Sequence, residues 1–195
     1  MLKTTNILRN ELKNYRYPDN KIARMVEAGE LIPVHKGLYE TDVTTPGYAL
    51  AGAIYGRSYL SFEYALSYYG LIPERVYEYT SATYRKRKVK SYENAFGRYS
   101  YRDVPENVFF AGIRLLKYGD YYFQMASPQK ALCDTLAKAA PVQNVSQLQA
   151  LMLDDLRLDM GELRNLSVDR IKEVGSLYKN KNVKLLIKLL EATNG

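Results

Sequence analysis

Several chemistries are excluded by what this chain does not contain. Among its 195 residues there is no tryptophan, one cysteine and one histidine. The lone Cys133 cannot close an internal disulfide, which fits a reducing cytoplasm, and its apolar neighbours assign it to a core. His35 alone cannot make a metal site, and there is no Cys/His cluster to help it. No apolar run is long enough to cross a bilayer, and the polar start "MLKTTNILRNELK" has no signal-peptide core. No glycine-rich phosphate loop is present, so no nucleotide cofactor is expected. Internal repeats and low-complexity linkers are absent as well.

Positive charge and tyrosine are abundant. The chain has 19 tyrosines and a formal net charge of +7. Tyrosine buries its ring while its hydroxyl stays wet, which suits a partly solvated sheet. The charge is concentrated: residues 83–102 hold seven Lys and Arg against one Glu, for a local excess of +6. Within that stretch "YRKRKVK" places Arg85, Lys86, Arg87, Lys88 and Lys90 together, with Tyr84 and Tyr92 beside them. Five cations this close repel one another unless an anion lies nearby, so a polyanion is the expected partner. The plainer alternatives are a solvated edge strand protected by its charge or a loose hairpin tip.

Periodicity divides the chain. "KTTNILRNELKNY" has apolar residues at helical spacing, with Thr4 or Thr5 as a cap. "YPDNKIARMVEAGEL" reads as a second helix, with Pro18 in its first turn and Gly29 at its end. Ile22, Met25 and Val26 face inward, which leaves Asn20, Lys21, Arg24 and Glu27 on the opposite, solvated face. "LIPVHKGLYE" then reads as a hairpin turning at Gly37, with His35 and Lys36 at the tip. Helix followed by hairpin is the pattern of a winged-helix unit over residues 1–42, in which Asn20, Lys21 and Arg24 reach a major groove and the tip touches backbone. The near-neutral charge of residues 1–42 argues against strong binding by this unit alone.

After a boundary near Asp42 to Pro46, two helices lead into a small, mostly antiparallel sheet over about 75–126, followed by helices over 127–195. The expected class is α+β, with domains 1–42 and 43–195. One enzyme-like pattern occurs: "SPQK", Ser127 to Lys130, matches the Ser-x-x-Lys of some acyl-transfer enzymes. No companion motif accompanies it, and Ser127 followed by Pro128 reads better as a helix cap. The expectation is that the chain is not an enzyme. Asp134 stands one turn beyond Lys130, where a helical pair contributes a few tenths of a kcal/mol.

Four blocks in order, "GELIPVHKGLYE", "SYLSFEYALSYYGLIPERVYEYTSAT", "FGRYSYRDVPENVFFAGI" and "ASPQKALCDTL", together resemble the AbiEi family of bacterial antitoxins and transcriptional regulators. The similarity runs from about Asn20 to Ala137. It implies an N-terminal winged helix that binds double-stranded DNA at repeats in its own promoter. It also implies a C-terminal domain that opposes a nucleotidyltransferase-like toxin encoded next door, with or without direct contact. In the matching segment Gly29, Leu31, Gly37, Leu38 and Tyr39 carry structure, while Ser58 to Leu66 and Ser127 to Asp134 match hallmarks whose role the residues do not reveal. Fuller family members place three helices before the wing, whereas only two fit here before Leu31. The alternative is an antitoxin acting through protein or RNA contact, with a vestigial wing and no sequence-specific DNA binding.

Overall fold

The computed structural model describes residues 1–193, and the fold is α+β. Asn194 and Gly195, the end of the expected C-terminal helical region, lie outside the described residues. The N-terminal unit begins with β1 (Lys3–Thr4), α1 (Thr5–Glu11) and α2 (Pro18–Glu27), then β2 (Ile32–His35) and β3 (Leu38–Glu40). The strand β1 is a departure from the sequence reading, which ran helix through this segment. Two residues are too few to show a period, and the pairing that defines them lies far away in sequence: Lys3 opposite Tyr39 and Thr4 opposite Leu38. The three strands form an antiparallel sheet in the order β1-β3-β2. Thr4 caps α1, its hydroxyl accepting from the Ile7 amide. Pro18 opens α2, whose Ile22 joins Leu8 and Leu31 in a small core edged by Leu12, Met25, Val26 and Tyr39.

A second, larger core is built mostly from the rest of the chain and also takes in Val34 of β2, with Leu2, Ile32 and Leu38 packed against it. Here α3 (Gly47–Ile54), β4 (Tyr59–Leu60) and α4 (Phe62–Tyr68) precede β5 (Glu78–Thr83), β6 (Lys90–Asn94), β7 (Gly97–Asp103), the short α5 (Glu106–Phe109), β8 (Ile113–Tyr118) and β9 (Tyr121–Ala126). The sheet order is β6-β7-β5-β4-β9-β8. Its pairing is mixed: β5 runs parallel to β7 and β4 parallel to β9, while the other three pairings are antiparallel. The strand β4 forms just ahead of α4, where Tyr59 and Leu60 pair with Ala82 and Ser81. Tyr99, Ser100 and Tyr101 of β7 are all buried, so both faces of the central strands are covered.

One side is covered by α3. It approaches so closely that a methyl group on Gly47 would lie 2.5 Å from the Phe96 carbonyl oxygen and overlap the Tyr79 ring. The Tyr101 hydroxyl donates to the Ala51 carbonyl oxygen at 2.7 Å, which ties α3 to β7. On the other side lies α6 (Pro128–Lys138), followed by α7 (Val145–Ala150) running on into a π-helical turn, α8 (Met160–Arg164), α9 (Val168–Gly175) and α10 (Lys181–Thr193). The N-terminal unit docks on this body at the β6 edge, where Asn94 Nδ2 donates to the Val34 carbonyl oxygen at 2.8 Å. The buried Glu40 forms a second link, accepting from the Tyr121 hydroxyl at 2.5 Å.

Candidate nucleic-acid interface

The helix α2 presents its outer face as its period requires. Asn20 and Arg24 are exposed, while Lys21 is half-buried with its ammonium 5.9 Å from the Tyr15 ring. These three residues line a shallow depression with Tyr15, Arg16 and Tyr17. His35 and Lys36 do not share it. They border a different groove of about 700 Å³, between α1, α2 and the hairpin, together with Asp19 and Glu27. The Arg9 guanidinium spans this groove's rim, its Nε 2.7 Å and Nη2 2.9 Å from the Asp19 carboxylate. That contact holds Asp19 below its usual range. The helix and hairpin residues read together from sequence therefore stand on two sides of α2, and the hairpin side carries acidic groups.

The hairpin is short. Gly37 takes φ +73° at its tip, and its carbonyl oxygen accepts from the Thr5 amide at 2.9 Å. The His35 ring meets Tyr92 of β6 edge-on, with centroids 4.9 Å apart. Tyr92 in turn contacts Tyr55 at 5.9 Å, and the Lys86 ammonium sits 4.8 Å from the Tyr55 ring centroid. A line of ring contacts thus leads from the hairpin tip to the basic stretch. The two features, separated by some fifty positions in sequence, lie at the same end of the β6 edge.

Only Lys90 of the five clustered cations belongs to a strand. Residues 85–89 form the loop between β5 and β6, so of the two plainer readings of "YRKRKVK" the edge strand is corrected and a loose loop stands. All five are exposed, and Arg85 and Arg87 have left-handed backbones at φ 57° and 54°. Arg85 donates from Nε to Glu106 at 2.8 Å. Tyr84 does not stand beside the patch as a free ring. It is buried against Phe109, with its hydroxyl accepting from Arg57 at 2.8 Å. Arg57 precedes β4 at the same end of the sheet and was missed in sequence, because a lone arginine after glycine carries no local signal.

The Ser-x-x-Lys pattern resolves into structure rather than a nucleophile and its base. Ser127 caps α6, its Oγ accepting from the Lys130 amide at 3.2 Å. The Lys130 ammonium points elsewhere, donating to the Val108 carbonyl oxygen (2.8 Å), the Tyr178 hydroxyl (2.5 Å) and Asp134 (3.0 Å). Asp134 also accepts from Tyr59 at 2.9 Å, Ser61 at 2.7 Å and Tyr178 at 2.6 Å. Both charged side chains are fully buried, so the pair is no surface helix contact worth a few tenths of a kcal/mol; it is the centre of a satisfied interior network. Burial lowers the Lys130 ammonium from the usual lysine range, against the pull of Asp134. Burial likewise pushes the Cys133 thiol up to about 12. The two segments without a legible role, Ser58 to Leu66 and Ser127 to Asp134, meet here.

Among the described residues, no group of three or more His, Cys, Asp or Glu side chains is arranged to hold a metal ion, and no helix is long and apolar enough to cross a membrane. No family model and no curated protein matches the chain. Among solved structures it is similar to the RV2827C protein from Mycobacterium tuberculosis, with a TM-score of 0.60 and 14% identity over 96% of this chain and 71% of that one. The likeness is one of fold.

Proposed function

We propose that this protein is a DNA-binding transcriptional repressor and antitoxin of the AbiEi kind, opposing a nucleotidyltransferase-like toxin from an adjacent gene and repressing its own operon. In this reading residues 1–42 are a winged helix: β1, α1, α2 and the β2–β3 hairpin follow the order of that motif from its first strand onward, around a core of their own. Arg24 and Asn20 reach base edges, Lys21 and Lys36 meet phosphate, and the loop from Arg85 to Lys90 extends the phosphate footprint. The observation that carries the proposal is the line of ring contacts from His35 through Tyr92 and Tyr55 to Lys86, which brings the hairpin tip near the basic loop. A polyanion spanning both surfaces supplies the attraction that residues 1–42 lack by themselves.

The test is a gel-shift titration of DNA upstream of the operon against random duplex, with and without Arg24→Ala and Lys21→Ala. Salt-sensitive preference for the upstream DNA, lost in the double variant, is the expected result; equal affinity for random duplex removes the repressor role. One observation favours a second reading, an antitoxin working through protein or RNA contact. The hairpin tip is anchored to Thr5 and Tyr92 rather than projecting, and Asp19 and Glu27 flank its groove. In that case charge reversal from Arg85 to Lys90 abolishes toxin neutralisation and leaves the DNA titration unchanged.

A further inference from the structure

The basic loop is faced by two carboxylates that engage it in different ways. Asp103, the last residue of β7, uses both oxygens: Oδ1 accepts from the Thr83 hydroxyl at 2.7 Å and Oδ2 accepts from the Arg87 amide at 2.5 Å. Thr83 is fully buried and ends β5, and its carbonyl oxygen accepts from the Val104 amide at 2.7 Å, so Asp103 stands on the rigid sheet. It binds loop backbone, not a loop cation. Between its two attachment points lies the left-handed Arg85, with the left-handed Arg87 at the second. Such backbones are disfavoured for residues with a side chain and persist where the surroundings impose them. Glu106, the first residue of α5, binds a cation directly: Arg85 Nη2 is 2.6 Å from Oε2 in a pair that is largely exposed on both sides. Lys88 and Lys90 have no acidic partner among the described residues.

We infer that these two carboxylates act in opposite senses on capture of a DNA backbone: Asp103 is a positioning residue that holds the loop in its phosphate-binding shape, and Glu106 competes with phosphate for Arg85. The inference rests on the reading above that the loop touches DNA. Its signature is one of sign. Each carboxylate is a negative charge beside a cationic patch, so charge alone predicts that removing either one tightens binding to a polyanion. Positioning predicts the reverse at Asp103, because the freed loop must be ordered again when DNA arrives.

The experiment is an anisotropy titration of a short random-sequence DNA duplex over a salt series. It compares the wild type with Lys86→Ala/Lys88→Ala, Glu106→Gln, Asp103→Ala and Asp103→Asn. The lysine pair should weaken binding and flatten the salt slope by about one for each phosphate no longer neutralised. Glu106→Gln should tighten it about two- to fivefold. Asp103→Ala should weaken it about fivefold and flatten the slope, and Asp103→Asn, which keeps one carbonyl acceptor, should fall between it and the wild type. Hydrogen exchange without DNA should show the Arg87 amide losing protection in Asp103→Ala while the β7 amides keep theirs. If Asp103→Ala does not fold, Asp103→Asn carries the same test of sign. Unchanged affinity in the lysine pair removes the loop from the interface and overturns the inference with that part of the reading. Weakened lysine-pair binding with tighter or unchanged binding in the Asp103 variants overturns the inference alone.

Discussion

Tyr59 and Asp134 are 75 positions apart in sequence and joined by a 2.9 Å hydrogen bond in the interior. The contact welds the sheet to the C-terminal helices, since Tyr59 belongs to β4 and Asp134 to α6. Ser61 adds to it from the N-cap position of α4, where its hydroxyl turns to Asp134 instead of capping its own helix. A buried ion pair of this kind is costly to break from one side, because the remaining charge loses its partner without regaining water.

Asp134→Ala is therefore expected to destabilise the fold by about 3–5 kcal/mol, and Lys130→Ala by a similar amount. Tyr59→Phe, which removes one hydrogen bond to a charged acceptor and keeps the ring, should cost about 1.5–3 kcal/mol. Urea denaturation midpoints at unchanged slope measure all three, and a Tyr59→Phe midpoint equal to the wild type would refute its place in the network.

Docking of the N-terminal unit should depend on pH through Glu40. Burial alone would raise this carboxyl, but hydrogen bonds from the Met1 amino group, the Tyr121 hydroxyl and the Thr41 and Asp42 amides outweigh it and hold Glu40 below the usual carboxylate range. A lowered folded-state value means the stabilisation is complete above the ordinary carboxyl pKa and is lost as pH falls through the lowered one. Melting temperature should drop more steeply below about pH 4.5 in the wild type than in Glu40→Gln. At neutral pH Tyr121→Phe should cost about 1.5–3 kcal/mol. Parallel acid profiles for the two proteins would dismiss the link.

Gly47→Ala tests the packing of α3. The added methyl group meets the Phe96 backbone and the Tyr79 ring, and backbone cannot swing aside as a flexible side chain does. A loss of about 1–3 kcal/mol is expected from overpacking, although alanine is the better helix former. A stabilised variant would show that α3 can shift.

On the second reading proposed above, in which the basic loop opposes a toxin through protein or RNA contact, charge reversal at Lys86, Lys88 and Lys90 is expected to abolish protection of cells from that toxin, with little change in thermal stability because these side chains are exposed. Full protection by the reversed protein would remove that second reading.

What the sequence determined by itself is largely local. The cap at Ser127, a threonine cap at position 4 or 5, Pro18 at the start of α2, the turn at Gly37 and the inward set Ile22, Met25 and Val26 all follow from spacing and backbone preference, which act over a few residues. The α+β class was legible for the same reason. Tertiary structure alone decided which distant segments meet. The strand β1 exists because Lys3 and Thr4 pair with Leu38 and Tyr39, and β4 because Tyr59 and Leu60 pair with β5 and β9. The Lys130–Asp134 pair changes from a surface helix contact to a buried hub only when Tyr59, Ser61 and Tyr178 close around it. The basic cluster was visible as composition, but its loop shape is set by Asp103 and its neighbour at the hairpin tip by ring packing. Hydrogen bonding and burial depend on distance in space, and the chain order carries that distance only for residues a few positions apart.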